Sequence, residues 1–437
     1  MIIKIALRNT IKNWRHSISA LLSLSASFVS LVLFDGYMDD VKAMYIDNFT
    51  HRQMFGDIII EHKDQYSKEG ISSPWEFWIS KEDQIYINQK VIAEPVKAEI
   101  VIRNLNFMGM ITNGMQSQIL LGRGYDPVEG EKMRGKNWSW NVTYGTPLDR
   151  QESAFTGALG QGLARKLACT WTKDPNVMTF YGGYAEVDKP FECMTKDLQI
   201  SSTTVDGQLN AIDITAVALM DAGYKDVDDR YIQTSLEAAQ TLMNTDKVSF
   251  ISISTAGRSV DEVVDYLNTD VFKDKKYLLA QRWQTHRLGE MYTKTMDFLS
   301  IFRNFVVIVI VLVSTLSVLN TMVKLVKERT REIGTMRSIG FLPQQVVKMF
   351  FLESLFLSVM GTAVGAVMAS ALTFVFNSVK IMYKAGLLSE PVAFRIAFYP
   401  NAYVAAFVLL VSVGTVATYF ATRQIIKSKI IDNLTYV

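Results

Sequence analysis

Two glycine-bearing stretches have the composition of phosphate-binding turns. Residues 130–137 read G-E-K-M-R-G-K-N. A P-loop cradles phosphates with backbone N–H groups, brings a lysine to them and ends in a Ser or Thr that holds magnesium. Here Asn137 occupies that last place and no hydrophobic strand leads in, so the stretch reads as a coincidence. Gly157, Gly160 and Gly162 are spaced like a loose dinucleotide fingerprint, but no acidic ribose partner follows. A turn leading into a helix is the expectation there. The histidines His16, His51, His62 and His286 are scattered, and no H-E-x-x-H, C-x-x-C, EF-hand loop or G-x-S-x-G elbow occurs. No metal ligand set and no catalytic residue is assigned. Cys169 and Cys193 have one possible pairing in an oxidising compartment, and are otherwise two buried thiols. The chain offers no self-contained catalytic site and no cofactor site of its own. Any chemistry that powers it belongs to a partner.

The elements around these residues are unusual. The chain has 437 residues, is 49% hydrophobic and 20% charged, and carries a net charge of +2. Its mean hydropathy is +0.14. The near-neutral balance gives no reason to expect nucleic acid as a partner, and the composition excludes disorder, a collagen-like fibre and a small disulfide scaffold. The apolar residues are gathered into long blocks. Residues 17–34 lack any charged side chain, and about 18 helical residues span roughly 27 Å, close to a hydrocarbon core. Three further blocks follow, over 298–323 with a stalk before the bilayer, 346–378 and 399–422. Four transmembrane helices are expected.

The flanks orient them. Lys4, Arg8, Lys12 and Arg15 precede the first block, and Asp35, Asp39 and Asp40 follow it. Residues 324–345 are rich in Lys and Arg, and Arg423, Lys427 and Lys429 follow the last block. The positive-inside rule places both termini (1–16 and 423–437) and the 324–345 hairpin in the cytoplasm, with 35–297 and a short loop over 379–398 outside. The basic residues of 1–16 share one face of a helix while Ile3, Leu7 and Ile11 share another, the pattern of an interfacial amphipathic helix on an anionic leaflet. The first block is longer than a usual signal-peptide core and has no A-x-A-like site, so it reads as an uncleaved anchor.

Residues 35–297 have ordinary soluble composition and read as mixed α/β. Strands are expected near 56–61, 98–104, 118–122, 210–217, 229–233 and 248–254, and helices near 160–168, 235–243 and 258–268. Two subdomains are expected, the second inserted at about 110–215. Within the membrane, Ser19, Ser23 and Ser27 on the first helix, and Gly361 and Gly365 on the third, are small residues at four-residue spacing that permit close helix approach. They predict packing of the first helix on the second, and of the third on the fourth.

Residues 320–365 form a helix that leaves the membrane, a charged amphipathic segment punctuated by Gly334 and Gly340, and a new helix opened by Pro343 that re-enters through Glu353. The runs E-R-T-R-E-I-G (328–334) and R-S-I-G (337–340), with Glu353, Gly361 and Gly365, resemble the FtsX/MacB-type permease family of ABC transporters, including the LolC/LolE lipoprotein-releasing permeases. Residues 156–168 and 218–255 resemble external segments of that family, the second of them its lipoprotein-releasing branch. The run 169–175 departs from the Gly-Asp turn that usually follows the first.

The resemblance implies an integral membrane α-helical fold with a large mixed α/β extracytoplasmic domain built on a MacB-like periplasmic core, in the bacterial inner membrane. It implies a permease subunit that works with a second permease, paralogous or identical, and with a cytosolic ABC ATPase dimer that binds ATP and magnesium. Arg329, Arg331, Glu332, Gly334, Arg337 and Gly340 would form the ATPase-coupling segment. Phe28, Val32, Phe298, Phe302 and Phe305 would face lipid or an acyl chain. The function expected is lipoprotein release toward the outer membrane, with a periplasmic carrier or adaptor as a further partner. MacB-like export of a peptide or small molecule, and FtsX-like signalling without transport, are the alternatives.

Overall fold

The computed structural model describes residues 14–138, 142–172, 190–255, 257–379, 381–383 and 392–426. Residues 1–13 of the expected amphipathic helix, and the tail from 427 on, lie outside the described residues. In chain order the principal elements are helix α1 (Trp14–Asp47), strand β1 (Ile58–His62), α2 (Lys81–Ile92), β2 (Ile100–Thr112), β3 (Ser117–Tyr125), α3 (Pro127–Trp138), β4 (Val142–Gly145), β5 (Thr156–Gly160), α4 (Gln161–Lys166), β6 (Asp197–Thr203), β7 (Leu209–Met220), β8 (Tyr231–Ser235), α5 (Leu236–Met243), β9 (Phe250–Ser254), α6 (Val260–Tyr266), β10 (Leu278–Arg282), α7 (Glu290–Glu328), α8 (Thr330–Ser338), α9 (Pro343–Val379) and α10 (Pro400–Ile426). The chain divides into two compact units. One comprises Met1–Lys42, Thr295–Ile381 and Phe394–Val437, and the other Ala43–Lys294 and Met382–Ala393.

The first unit is helical. Among the described residues four helices are long and apolar enough to cross a membrane, over Ile18–Arg52, Arg287–Glu328, Pro343–Val379 and Pro400–Phe420. The first two outrun the apolar blocks seen in the sequence, since α1 continues to Asp47 and α7 begins at Glu290. Helix α1 is the hub. Its Ala20, Leu24, Phe28, Leu31 and Val32 form one core with Val318 and Met322 of α7, Leu357 and Ala369 of α9, and Ala406 and Leu410 of α10. Hydroxyls tie α1 to α7, with Ser27 and Ser314 2.5 Å apart and Ser19 and Thr321 3.3 Å apart. Ser23 is half-buried. Toward one end, Arg303 of α7 grips both carboxylate oxygens of Asp35.

The glycine stripe of α9 faces a different helix from the one expected. A Cβ at Gly361 would stand 2.9 Å from Cβ of Leu24, and one at Gly365 would stand 2.8 Å from Cβ of Phe28. Both glycines therefore admit α1, and Ser25 donates to the carbonyl of Gly361. The contact between α9 and α10 uses a glycine on the other helix. Gly414 of α10 lies against Ser358, and its carbonyl accepts from Ser354. A small residue lets two backbones approach but does not say which backbone comes.

The second unit is built on a ten-stranded sheet in the order β10-β1-β9-β2-β3-β8-β5-β7-β4, with β6 bridging β2 and β7. That bridge closes β2, β3, β8, β5, β7 and β6 into a ring, in which β3/β8 and β5/β7 are parallel. The ring fills with side chains in large-to-small pairs. Across the β2/β3 ladder Leu105 faces Gly124, Phe107 faces Gly122 and Leu120 faces Gly109. A methyl at Gly122 would overlap the Phe107 ring. Such alternation is how a small closed sheet fits its own core. The subdomain expected at about 110–215 is not separate, because its strands pair with β2 and β8 outside it. Each piece is too short to bury both faces alone, and the shared ring does it instead. Cys169 and Cys193 are disulfide-bonded across a two-residue ladder.

The turn between β7 and β8 centres on a buried carboxylate. Asp228 accepts from the backbone N–H of Gly162 at 2.7 Å and of Ala222 at 3.0 Å. Burial, with Asp221 beside it, pushes its carboxyl up to about 6, against the pull of the N–H groups of Ala222, Gly162 and Gln161.

Two outcomes are expected. Gly365→Leu should cost about 1–3 kcal/mol through forced overpacking, read as a lower thermal midpoint in detergent, whereas Val367→Leu, at a site 72% exposed, should leave it unchanged. The second concerns pH. The folded chain holds the Asp228 proton more tightly than the unfolded chain does, so this group adds most stability below its unfolded pKa and loses it as pH rises through about 6. Asp228→Asn should therefore flatten the gain in midpoint as pH falls from about 7 to 4, followed by tryptophan fluorescence. A slope equal to that of the parent chain would contradict this assignment.

Candidate functional site

The segment between α7 and α9 brings together the charged residues singled out in the sequence. Helix α7 breaks at Arg329, which sits at φ −103° and ψ 13° and is followed by α8. The break is held by charge. The Arg329 guanidinium donates to both oxygens of Glu353 on α9, at 3.0 and 3.1 Å, and to Glu332 at 2.8 Å. It also lies 5.5 Å from the centre of the Phe350 ring. Glu353 is 4% exposed. A carboxylate at the start of an apolar span is costly without a cation, and the guanidinium supplies one through its Nη1.

Around the pair lies a small apolar core. Leu325 and Val326 of α7, Ile333 of α8, and Val346, Met349 and Phe350 of α9 are buried together, with Met336 and Phe341 packed against them. Gly340 ends α8 at φ +103°, where a left-handed residue is needed. Its N–H donates to Arg337 and that of Phe341 to Met336, the paired bonds of a Schellman C-cap. Pro343 opens α9, and the Gln345 side chain reaches back to the N–H of Leu342. The sequence therefore makes a helix-turn-helix corner locked on its inner side.

That lock sorts the expected coupling residues. Arg329 and Gly334 turn inward, Arg329 into its ion pairs and Gly334 into the buried face with Ile333 and Thr330. Arg337 is half-buried, while Arg331, Glu332 and Gly340 are exposed. Two apolar residues absent from the expected set flank the tip: Ile339 is 72% exposed and Leu342 is 61% exposed. Pattern gave no signal for them, since an apolar residue beside a turn glycine usually packs inward. Glu353 did have a signal. It is the one charge in residues 349–378, and such a residue requires a partner.

The expected lipid-facing set divides. Phe28 and Val32 are a correction, being buried at the centre of the helix bundle, where Phe28 meets Tyr403 edge-on at 5.9 Å. The face of α1 that carries Phe28 and Val32 packs against α7, α9 and α10, while Ile18 and Leu22 on another face are exposed, so Phe28 and Val32 serve packing. Phe298, Phe302 and Phe305 on α7 are exposed, in line with Ile301, Ile308 and Leu312.

The phosphate-like stretches are accounted for locally. Residues 130–134 lie in the regular part of α3, where backbone N–H groups are turned into the helix, and Gly135 marks a kink at φ 62°. At the 157–162 glycines, Asp228 already takes the N–H of Gly162, and Asp229 lies against it. Among the described residues no group of His, Cys, Asp and Glu is arranged to hold a metal.

Removing Glu353 should leave Arg329 with only the exposed Glu332 as a carboxylate partner, at a cost below the about 3–5 kcal/mol of a fully unpaired buried charge. A cysteine at Ile333 reports on it, because Cys169 and Cys193 are bonded to each other. Ile333→Cys should resist maleimide in the parent background and react readily with Glu353→Ala. Equal protection in both would mean that the ion pair does not hold the corner.

Residues 304–430 match the family described as FtsX-like permease C-terminal. The ABC transporter permease YtrF of Bacillus subtilis (strain 168) is 32% identical over 116 residues, which are 26% of this chain and 26% of YtrF. The macrolide export ATP-binding/permease protein MacB 1 of Yersinia pestis bv. Antiqua (strain Antiqua) is 29% identical over 143 residues, 32% of this chain and 20% of MacB. The match therefore spans 20–26% of the length of these curated relatives. Among solved structures, the periplasmic region of MacB from Actinobacillus actinomycetemcomitans has a TM-score of 0.33 at 9% identity, over 55% of this chain and 92% of that one. The helices that carry the locked corner thus belong to an FtsX-like permease domain, homologous to those of the MacB and YtrF permeases.

Proposed function

We propose that this chain is the membrane subunit of an ABC transporter that borrows its motor. It pairs with a second permease, of the same or a related sequence, and with a dimeric cytosolic ABC ATPase. That ATPase holds ATP and magnesium and performs hydrolysis, and this chain performs none. Both termini and the α8 corner lie in the cytoplasm, and the α/β unit lies outside the bacterial inner membrane.

One observation carries this reading. The corner is locked on its inner side by Arg329–Glu353 and a small core, yet exposes Arg331, Glu332, Ile339 and Leu342 together. A short charged helix with an apolar tip suits a groove in a partner protein, in which the apolar residues are anchors and the charges set the register. Being braced on α7 and α9 at once, it would pass a displacement to both helices.

The cargo follows from the resemblance to lipoprotein-releasing permeases: a lipidated protein bound for the outer membrane, handed to a periplasmic carrier or adaptor. The apolar run Phe298, Ile301, Phe302 and Phe305 supports it as a surface for acyl chains. Export of a peptide or small molecule is the second reading, favoured by the similarity to a macrolide export protein.

Purification in detergent with identification of co-purifying chains tests the main claim, since it requires an ABC ATPase. Recovery of a triacylated protein supports lipoprotein release, and its consistent absence supports export. Gly340→Trp should preserve membrane insertion but uncouple ATP hydrolysis from transport, and Ile339→Asp with Leu342→Asp should release the ATPase during purification. Coupled turnover in Gly340→Trp would refute docking through this corner.

A further inference from the structure

At the other end of α1 the sequence spends a buried ion pair where aliphatic residues would serve for stability. Helix α1 passes into a π-turn over Asn48–Arg52. The Arg52 guanidinium lies 2.7 Å from the carboxylate of Asp221, with the two side chains 2% and 6% exposed, and it also donates to the Asp221 carbonyl. Gln53 donates to the carbonyl of Ala222 at 3.3 Å. Arg123 of β3 donates to the Gln53 carbonyl at 3.0 Å and lies over the Phe55 and Phe250 rings. Met54 follows in the left-handed region at φ 58° and is wholly buried, a conformation that persists only where its surroundings enforce it.

The start of α7 is held mainly by rings. Trp283 stacks on Phe49 at 5.0 Å and meets Tyr292 at 4.9 Å, and Tyr292 meets Tyr45 at 5.9 Å. These ring contacts resist separation but fix direction weakly, and the polar contact beside them, His286 Nε2 at 2.8 Å from the Glu61 carboxylate, ties the segment before α7 to β1 alone. The Arg52 contacts are charged and directional. They also lead onward. Asp221 opens the turn that Asp228 closes, and Asp228 holds the N–H groups of Ala222 and of Gly162 at the start of α4. One chain of polar contacts therefore runs from the end of α1 through the β7–β8 turn to the β5–α4 turn.

We propose that Arg52 and Asp221 are positioning residues, the contact through which displacement of the first membrane helix reaches the closed sheet. This rests on the permease reading. A buried ion pair adds little net stability over well-packed apolar residues, so its use here is directional. The aromatic stack on α7 keeps the two helix ends together, and the ion pair sets where the sheet goes when α1 moves.

The test uses the full chain assembled with its ATPase in nanodiscs. Amide hydrogen exchange over 156–168 and 221–235 is compared between nucleotide-free and ATP-trapped states. The apolar double variant Arg52→Met with Asp221→Leu should fold with an unchanged thermal midpoint, bind the ATPase and hydrolyse ATP as before. Its nucleotide-dependent exchange difference in these two segments should fall at least roughly five-fold, the lower end of usual coupling strengths. The swap Arg52→Asp with Asp221→Arg should restore it in part. If the apolar variant keeps the full difference, or loses it only together with its thermal midpoint while the swap restores nothing, the contact is merely structural. Failure of the parent chain to bind any ATPase would instead overturn the permease reading.

Discussion

The organisation of the permease domain depends on one charge placed where charge is expensive. Glu353 begins an apolar span and is nearly sealed from solvent, so it must find a cation. Arg329 provides it from the break between α7 and α8, and in doing so fixes the angle at which α8 leaves the membrane helix. The small core of Leu325, Val326, Ile333, Val346, Met349 and Phe350 then closes over that arrangement. Everything exposed at the corner is exposed because this pair decided which face of α8 is inner. One guanidinium nitrogen, Nη1, holds both oxygens of Glu353 while Nε holds Glu332, so the planar group is fixed from two sides, which suits an element that would transmit force.

The four membrane helices are held by another principle. Without a hydrophobic driving force between helices in lipid, close approach and shared hydroxyl bonds provide the specificity. Helix α1 collects both kinds: Ser27 with Ser314 and Ser19 with Thr321 toward α7, and Leu24, Ser25 and Phe28 against the glycines of α9. That central place explains why Phe28 and Val32 are packing residues while the aromatic run of α7 remains exposed.

The α/β unit solves its edge problem by closure. With β6 pairing both β2 and β7, six strands form a ring, in which Gly122 makes room for the Phe107 ring, Gly109 for the backbone of β6 at Ser201, and Gly124 for Ala239 of α5. The polar turn at Asp221–Asp228 is then the place where the ring meets the end of α1. Two segments far apart in sequence, 156–168 and 218–255, meet in space where Asp228 accepts from Gly162.

Local order in this chain is legible because it follows from local physics. Long uncharged blocks give membrane helices, flanking lysines and arginines give the expected orientation, alternation and turn residues mark strands near 56–61 and 248–254, found at Ile58–His62 and Phe250–Ser254, and Gly340 with Pro343 marks the corner. The spacing of small residues likewise announced that some helix must come close at Gly361 and Gly365. What sequence left open were choices between partners. Whether those glycines admit α1 or α10, whether Phe28 faces lipid or a neighbouring helix, and whether Arg329 points out or in all depend on which surfaces compete for the same contact. The closed ring and the Arg52–Asp221 contact were hidden for the same reason. Their members are separated by scores of residues, and neither periodicity nor turn chemistry reaches that far; only folding decides which buried charge meets which.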